Sequence, residues 1–375
     1  MIRSLELTNY RGFEHYKLSN LARVNLLVGK NNSGKTSILE AVQLLASGGN
    51  ARELASLARR RGELISTSPD PSAGQIRVYP DVTHFFHGRV FEEGASFSLA
   101  TDGELGSMTT QVVRLDASKI PIKGDDYKFH EIVVMSGINL VSDYSNPRMP
   151  EASRRTAVPV TEGGGVSFEV PEPLGRTDQL KANGHPVLLI PENSLDRRLM
   201  GELWDRALAE GQDREVTEAM QILDPKISNI VFQSIDPSFG REPRSGILVG
   251  FEGERRRYPL GSHGEGMRRL LVLALGLATT KDGVLLIDEV DTGLHYSVLA
   301  DVWLLIVETA RRYNIQVFLT THSLDCIRAL AWLCEAYPEL APEVSLQKIE
   351  RALGEAVAFS ADQVQIAVEQ DIEVR

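Results

Sequence analysis

Three hydrophobic patterns follow one another at the start of the chain. Between residues 5 and 18, apolar and polar positions alternate on both sides of a turn at 11–13, which predicts two strands. The run 24–28 is almost entirely apolar, as is typical of a strand buried on both faces. From 36 to 46 the apolar residues recur at helical spacing, so a helix is predicted soon after the buried strand.

A second patterned region occupies the last third of the chain. A helix is predicted at 266–279, and a buried strand follows it at 284–287. Another predicted helix at 297–312 precedes a second buried strand at 316–320. Strands that alternate with helices favour an α/β fold, in which a mostly parallel sheet is covered by helices on both faces.

The middle of the chain carries weaker signals. Residues 95–135 contain several short strand patterns, whereas 136–185 are rich in Ser, Pro, Gly and Asn and predict a loop or flap. Helical spacing returns at 194–224. No heptad pattern is sustained, so a long coiled-coil arm is not expected.

Composition places few limits on the partners of the protein. The net charge of −11 argues against a surface that is basic throughout. Arginine triplets at 59–61 and 255–257 are candidates for a local nucleic-acid groove, with a solvated face as the alternative. The two cysteines, Cys326 and Cys334, lie among apolar residues and are expected to be reduced core thiols.

No stretch of the sequence has the pattern of a membrane or export segment. The longest apolar run, 270–278, is much shorter than the roughly 20 residues that a membrane-spanning helix requires. The N-terminus lacks the apolar stretch of a signal peptide. We therefore expect a cytoplasmic protein without a membrane partner.

Residues 29–36 form the most informative motif, in which two glycines with four residues between them are followed by Lys35 and Thr36. Glycines in such a loop let successive backbone N–H groups point at phosphate oxygens, and the next helix presents its positive N-terminus to them. Lys35 is expected to reach the β- and γ-phosphates of a nucleotide, and Thr36 to bind Mg²⁺. A buried strand before the motif and an amphipathic helix after it supply the context that this function requires.

Two acids end the buried strand at 284–287. Asp288 is expected to hold Mg²⁺ through water, and Glu289 to orient the attacking water in line with the γ-phosphate. An ordinary strand that ends in solvated acids is the alternative. The phosphate-binding motif upstream favours the catalytic interpretation.

A third element separates the classes of P-loop protein. Lys35 and Asp288 are much further apart than one strand and one helix, and Ser262 and Gly264 begin the helix that precedes Asp288. A serine and a glycine at a helix start make a second anion-binding surface. In the fold that this pattern suggests, the surface faces away from the molecule's own phosphate loop, so it would contact a γ-phosphate only on another copy.

His322 follows the buried strand at 316–320 and is expected to lie level with Glu289. A lone histidine is usually structural. Its position after a strand and close to the acids favours a contact with the γ-phosphate.

In this order, these features resemble the ABC-type ATPase heads of the SMC, RecF and OLD group. The opening segment 7–13 resembles the N-terminal motif of the group, and 288–295 resembles the catalytic and dimer-contact segment of OLD-type ATPases. His263 and His295 depart from the pattern, because related proteins commonly have glycine and aspartate at these positions. The chain is similar in size to stand-alone OLD-like ATPases of bacterial anti-phage systems.

The resemblance assigns roles to the matching positions. Residues 29–36 become the Walker A loop, Asp288 and Glu289 the Walker B pair, and His322 the switch histidine. The predicted nucleotide-binding residues are Arg11, Gly29, Asn31, Asn32, Ser33, Gly34, Lys35, Thr36 and Ser37, with Ser262 and Gly264 as signature contacts. The predicted metal ligands are Thr36 and Asp288, and the predicted catalytic residues are Glu289, Lys35 and His322. The glutamine loop of the family has no clear counterpart.

The resemblance also implies an architecture. We expect an ABC ATPase head with a mostly parallel P-loop sheet, an N-terminal antiparallel β lobe and a strand- and loop-rich insertion. The N-terminal lobe with Walker A is expected at 1–110 and the insertion at 111–190. A helical arm and the C-terminal ATPase lobe, with signature, Walker B and switch histidine, are expected at 191–375.

ATP and Mg²⁺ are the cofactors that the resemblance implies, and a homodimer or a larger oligomer is the expected assembly. ATP hydrolysis is expected to gate a separate effector, for which a TOPRIM-like nuclease is the leading candidate. The roughly 40 residues after 336 are too few for a nuclease domain. The alternative is a RecF-like DNA-binding repair ATPase, with 59–61 facing nucleic acid. The opening segment disfavours a transporter subunit, and the wide spacing of the Walker motifs disfavours a ring ATPase.

Overall fold

The computed structural model describes residues 1–67, 77–115, 118–123, 129–134, 137–166, 186–233, 246–370 and 374. The strands are β1 (Leu5–Tyr10), β2 (Phe13–Leu18), β3 (Val24–Val28), β4 (Leu64–Thr67), β5 (Arg77–Pro80), β6 (Ser96–Thr101), β7 (Ser107–Leu115), β8 (Ser118–Lys123), β9 (Phe129–Val134), β10 (Gly137–Ser145), β11 (Arg154–Pro159), β12 (Val187–Ile190), β13 (Ile227–Phe232), β14 (Ile247–Phe251), β15 (Arg257–Pro259), β16 (Val284–Ile287), β17 (Gln316–Thr320), β18 (Val344–Lys348) and β19 (Val357–Phe359). The α-helices are α1 (Lys35–Ala46), α2 (Ala51–Arg60), α3 (Arg197–Ala209), α4 (Asp213–Met220), α5 (Glu265–Thr279), α6 (Leu299–Arg312), α7 (Leu324–Ala336) and α8 (Ala361–Glu369).

The central sheet confirms the expected mostly parallel arrangement. Its strand order is β12-β16-β17-β3-β18-β19, and only β19 pairs antiparallel to its neighbour. Alternate residues of β3 face opposite sides, so Leu26 joins a core shared with α5, α6 and α7, whereas Leu27 joins a core shared with α1. A sheet covered on both faces needs the almost uniformly apolar strands that the sequence contains.

A second sheet of six antiparallel strands, in the order β11-β10-β7-β6-β1-β2, forms the expected N-terminal β lobe. The prediction of a loop or flap at 136–185 is wrong for β10 and β11, which pair with each other, while β10 also pairs with β7. The polar composition suggested a loop, but polar side chains can also lie inside a sheet when they are paired. Ser142 is buried in this way, with its hydroxyl 2.9 Å from that of Thr110. Residues 167–185 of the predicted loop lie outside the described residues.

The division of the chain into three domains stays a prediction, and the sheets cut across its limits. The limit at 110 falls inside β7. Strand β12, which lies in the predicted insertion, pairs in parallel with β16 of the central sheet. The helical arm predicted at 194–224 consists of α3 and α4, which are separated by a short turn at 210–212.

Helix α1 lies between the two sheets and is buried along almost its whole length. Its Glu40 is only 1% exposed, and a carboxylate buried to this degree requires charged partners. Arg11 Nε and Arg61 Nε lie 2.8 and 2.7 Å from its two oxygens. These ion pairs anchor the helix that carries Lys35 to the turn after β1 and to the end of α2.

The parallel register brings three chain segments to one edge of the central sheet. Ile287 pairs with Leu319, and Thr320 pairs with Leu27, so the carboxyl ends of β16, β17 and β3 lie side by side. In open α/β sheets, ligands bind at this edge.

Two further expectations concern the rest of the chain. Cys326 and Cys334 are both buried and free, as expected of core thiols, and burial raises the pKa of the Cys334 thiol to about 11. Over the ranges that the structure describes, every helix is too short or too polar to cross a bilayer.

Candidate active site

The loop at 29–36, hereafter the P-loop, has a backbone that only glycine satisfies at two positions. Gly29 and Gly34 have φ angles of +149° and +105°, in the region that L side chains avoid. A Cβ on Gly34 would also lie 2.4 Å from Phe13 Cζ, and one on Gly29 would lie 2.6 Å from the carbonyl oxygen of Ile349. The glycines of the motif are therefore required both by conformation and by close packing.

Lys35 is 5% exposed and donates hydrogen bonds to the carbonyl oxygens of Gly29 and Lys30, at 3.0 and 3.3 Å. Its Nζ also lies 2.9 Å from His322 Nε2, which in turn lies 3.2 Å from Glu289 Oε1. The structure thus brings the three predicted catalytic residues into one continuous chain of contacts. Burial lowers the pKa of Lys35, while the charges of Glu289 and Asp288 act in the opposite direction.

The two predicted metal ligands lie next to each other. Thr36 Oγ1 is 3.1 Å from Asp288 Oδ2, and Thr320 Oγ1 donates to Asp288 Oδ1 at 2.6 Å. A hydroxyl beside a carboxylate fits Mg²⁺, which takes few protein ligands and completes its shell with water and phosphate oxygens. The described residues contain no group of three or more His, Cys, Asp or Glu that is suited to a metal ion.

Glu289 has an unusual backbone, with φ of +48°. Side chains from two other elements hold it there, because its N–H donates to Thr320 Oγ1 at 2.8 Å and its carbonyl accepts from Arg269 at 2.7 Å. Strain of this kind persists only where the surroundings impose it, and it is concentrated at functional sites. Burial, followed by the charge of Asp288, raises the pKa of Glu289 to about 7.

Arg269, on α5, is a site residue that sequence reasoning missed. It is 3% exposed and donates to the carbonyl oxygens of Asp288, Glu289 and Pro191 at 2.6, 2.7 and 3.0 Å. Burial lowers the pKa of this guanidinium, and Asp288 is the first of the acids that oppose the shift. The sequence did contain a signal for this residue, because Arg269 directly precedes the longest apolar run of the chain. A charged side chain at such a position is expected to be buried and therefore to need a specific partner.

Glu192 is a second residue that the sequence did not point to. It follows β12, whose Ile190 pairs with Ile287, so it lies just beyond the edge where Asp288 and Glu289 emerge. Its charge contributes to the raised pKa of Glu289. Glu192 is recognised as a site residue by its position after a neighbouring strand and not by a sequence motif.

The predicted signature contacts, Ser262 and Gly264, are exposed and lie apart from the P-loop. Ser262 Oγ donates to the carbonyl oxygen of Pro259 at 2.6 Å, and Gly264 precedes α5 with φ of +90°. A cleft of about 450 Å³ is lined by Lys35, Glu289 and His322 but by neither signature residue. We call it the P-loop cleft. Gly264 lines a separate groove between α3 and the start of α5.

Arg11 lines the P-loop cleft but is held by acids of the same chain. Besides its pair with Glu40, its Nη1 donates to Glu63 Oε1 at 2.8 Å, and its guanidinium lies 4.3 Å from the ring centre of Phe85. Its predicted contact with nucleotide stays a prediction. Of the other predicted residues, Asn32, Ser33, Gly34, Thr36 and Ser37 line the same cleft.

The arginines at 59–61 are partly used within the fold. Arg61 pairs with Glu40 and donates to Ser37 Oγ at 3.3 Å, and Arg60 donates to Gln43 Oε1 at 3.3 Å. Two of the three guanidinium groups thus brace α1, which leaves less positive charge for a nucleic-acid groove than the sequence suggested.

Comparison with known proteins finds two family descriptions that match separate parts of the chain. A family described as "AAA ATPase domain" matches residues 1–123, and one described as "AAA domain, putative AbiEii toxin, Type IV TA system" matches 193–326. The "ATP/GTP phosphatase" of Helicobacter pylori is 20% identical over 351 residues, which are 88% of this chain and 87% of that protein. The DNA replication and repair protein RecF of Bacillus mycoides is 44% identical over 45 residues, 12% of either chain. Both family matches are to ATPase domains, and together they include the P-loop at one end of the chain and Asp288 and Glu289 at the other.

The chain is also similar in fold to solved SMC heads. An SMC head bound to the C-winged-helix domain of ScpA aligns with a TM-score of 0.48 and 15% identity, covering 96% of this chain and 98% of that one. The SMC head domain from Thermotoga maritima aligns with a TM-score of 0.41 and 13% identity, again over 96% of this chain.

Proposed function

We propose that this ATPase is a homodimeric switch, in which ATP and Mg²⁺ bridge two protomers and hydrolysis separates them. One observation carries the proposal: the P-loop cleft is lined by Lys35, Glu289 and His322 but by neither Ser262 nor Gly264. Both of these residues are exposed, and Gly264 lines a separate groove. A helix start that is exposed and not used by the chain's own cleft suits a phosphate held by a second copy.

The residues of the cleft divide the chemistry among them. The N–H groups of the P-loop and the start of α1 cradle the phosphates, and Lys35 balances the charge of the β- and γ-phosphates. Thr36 and Asp288 hold Mg²⁺, which neutralises charge on the phosphate oxygens when it is bound. Glu289 orients the water that attacks the γ-phosphate, and His322 donates a hydrogen bond to that phosphate.

The contacts within the cleft indicate what nucleotide binding has to change. Lys35 Nζ is satisfied by two carbonyl oxygens and by His322, so an incoming phosphate replaces the histidine as its partner. His322 is then released toward the γ-phosphate while it remains within reach of Glu289. The same imidazole therefore links the state of the nucleotide to the orientation of the acid.

We further propose that the switch gates a separate effector, a nuclease of the TOPRIM-like kind, in defence against phage. The support is the resemblance to stand-alone OLD-like ATPases, together with the match of 193–326 to a family named for a toxin of a toxin–antitoxin system. The RecF-like alternative has less support, because the RecF match is confined to 45 residues and Arg61 is committed to Glu40.

Glu289→Gln tests the switch. The amide keeps the size of the side chain but cannot activate water, so ATP is expected to bind normally while turnover falls about a thousandfold. Light scattering after size-exclusion chromatography is then expected to show a dimer that depends on ATP and Mg²⁺. Turnover at the native rate, or a protein that stays monomeric in ATP, would refute the assignment.

The effector is tested through the neighbouring reading frames. A TOPRIM-like or other nuclease gene beside this one, whose product is activated only by the ATP-bound or only by the ATP-free form, supports defence. Neighbouring replication or repair genes, together with salt-dependent binding of duplex DNA that is lost on reversing 59–61, would favour the alternative.

A further inference from the structure

The segment 349–356, which follows β18, contacts the P-loop near the beginning and near the end of that loop. At one end, Ile349 N–H donates to the carbonyl of Val28 at 2.8 Å, and the carbonyl of Ile349 packs against Gly29. At the other end, Arg351 Nε donates to the carbonyl of Ser33 at 3.0 Å. The segment then joins the antiparallel sheet, where Ala356 N–H donates to the carbonyl of Lys17 at 2.8 Å. It is therefore a strap that connects the P-loop to both sheets.

Arg351 is the part of this strap that enters the P-loop cleft, where it is a lining residue together with Lys35. Its guanidinium lies 5.4 Å from the ring centre of Phe13. A Cβ on Gly12 would lie 2.6 Å from its Cζ, and one on Gly34 would lie 3.4 Å from its Nε. The group therefore rests against an aromatic ring and two glycines that leave room for it, at the rim of the predicted phosphate cradle.

Among the described residues, the terminal amines of Arg351 have no acceptor within hydrogen-bond distance. In the ranges that the structure describes, only Nε has a hydrogen-bond acceptor, and the side chain is exposed to solvent. This distinguishes Arg351 from Arg11 and Arg61, which line the same cleft but are each paired with carboxylates. A guanidinium with two free amines in a fixed plane matches the oxygens of a phosphate group.

We propose that Arg351 is a nucleotide-binding residue that contacts the phosphate chain. Its Nε fixes the carbonyl of Ser33, and its two terminal amines donate to phosphate oxygens held by the N–H groups of the adjoining P-loop residues. The proposal rests on the proposed function, because it requires the P-loop to hold a nucleotide. It extends the site to a part of the chain more than 300 residues away, since the bonded pair Arg351 and Ser33 are 318 positions apart.

Isothermal titration with two ligands, inorganic tripolyphosphate and a non-hydrolysable ATP analogue, each with Mg²⁺, tests the contact. Arg351→Ala is expected to weaken both about tenfold or more, as for the loss of a charge-assisted hydrogen bond. Arg214→Ala, which removes an exposed arginine from α4, is the matched control and leaves both affinities unchanged. Unchanged affinities in Arg351→Ala overturn the proposal. So does a loss confined to the ATP analogue, because it would indicate a contact with the nucleoside instead.

Two further substitutions of Arg351 distinguish a direct contact with phosphate from a role in which the side chain only stabilises the P-loop through the Ser33 carbonyl. Arg351→Lys keeps the charge and is expected to recover part of the lost affinity for tripolyphosphate. Arg351→Gln keeps a neutral donor for the Ser33 carbonyl and is expected to recover none. Equal recovery by Gln and Lys would show that charge is not needed, and the proposal would fail.

Gly12→Ala provides an independent test, because it displaces the guanidinium without removing its charge. Gly12 does not have the positive φ that would exclude alanine. The substitution is expected to weaken tripolyphosphate binding in the native background and to add nothing in an Arg351→Ala background. Additive losses would contradict a contact through Arg351. A native protein that binds neither ligand refutes the nucleotide site itself, a result distinct from failure of Arg351 alone.

Discussion

The P-loop cleft and the signature loop at 260–264 are two halves of the proposed active centre, and they differ in how complete they are. In the cleft, Lys35 is buried and already bonded to its neighbours, including His322. In the signature loop, Ser262 is exposed, and among the described residues its hydroxyl bonds to the carbonyl of Pro259 in the same turn. The cleft is thus organised by its own chain, whereas the proposed partner of the signature loop is a second copy.

Helix α5 connects the two halves. The signature loop leads into its N-terminus, and one turn further along Arg269 holds the carbonyls of Asp288 and Glu289. In the proposed dimer, a partner's phosphate at the start of the helix would act on the same helix that carries Arg269. The proposal thereby assigns the exposed loop and the buried cleft to one mechanism.

The largest expected effect on ATP turnover comes from substitutions that inactivate one half of the proposed active centre at a time. Lys35→Ala and Ser262→Arg are each expected to lower ATP turnover about a thousandfold, because each destroys one half of every site. A mixture of equal amounts is expected to recover about a quarter of native turnover, since half of the dimers are mixed and each mixed dimer has one intact site. Full activity of Ser262→Arg alone, or a mixture no better than its parts, would contradict composite sites.

A smaller loss is expected from cutting the link between the halves. Arg269→Met fills the same space but cannot hold the two carbonyls, so Glu289 is expected to leave its left-handed conformation. Turnover is expected to fall 10- to 100-fold, while the affinity for ATP changes little. Arg268→Met, which removes a bond to the carbonyl of Leu195 instead, is the matched control. Equal losses in the two variants would mean that Arg269 has no special role.

A still smaller change is expected at Thr320, whose hydroxyl supports both acids of the cleft. Thr320→Val keeps the branched shape but leaves the N–H of Glu289 without its acceptor. We expect turnover to fall about tenfold and the protein to lose about 1 kcal/mol of stability. Thr280→Val, which removes a buried hydroxyl bonded to Gly276 away from the site, serves as the control for stability. If both variants retain native turnover, the support that Thr320 gives is not catalytic.

The comparison between the halves also explains how far the sequence could be interpreted. The P-loop, the acids after β16 and the histidine after β17 were predictable, because each follows a strand whose pattern is local. Three of the central-sheet strands, β3, β16 and β17, were predictable for the same reason, whereas β12, β18 and β19 were not predicted. What local pattern could not supply was the set of contacts between residues far apart in the chain.

Arg351, Arg269 and Arg11 illustrate the limit. No motif pointed to Arg351 or Arg269, and the motif around Arg11 did not show its partners. For all three, the fold alone decides whether the guanidinium faces a carbonyl, a carboxylate or an open cleft. The same reasoning explains the error at 136–185, where composition favoured a loop. The polar residues of β10 pair with those of β7, a contact that composition does not encode.

The smallest expected effect concerns the stability of the nucleotide-free, metal-free cleft. Because the pKa of Glu289 is raised from 4.5 to about 7, the folded state disfavours the ionised acid. The resulting penalty is absent below about pH 4.5, grows between pH 4.5 and 7, and is complete above pH 7. Glu289→Gln removes it, so in EDTA the variant is expected to unfold with a free energy about 1 kcal/mol higher than native at pH 8, after discounting for partial exposure of the side chain. At pH 5 the difference is expected to be about a quarter of that value. Urea titrations at both pH values measure the difference, with the exposed Glu210→Gln as control. A gain that is the same at pH 5 and pH 8 would contradict this prediction, because it could not come from ionisation of Glu289.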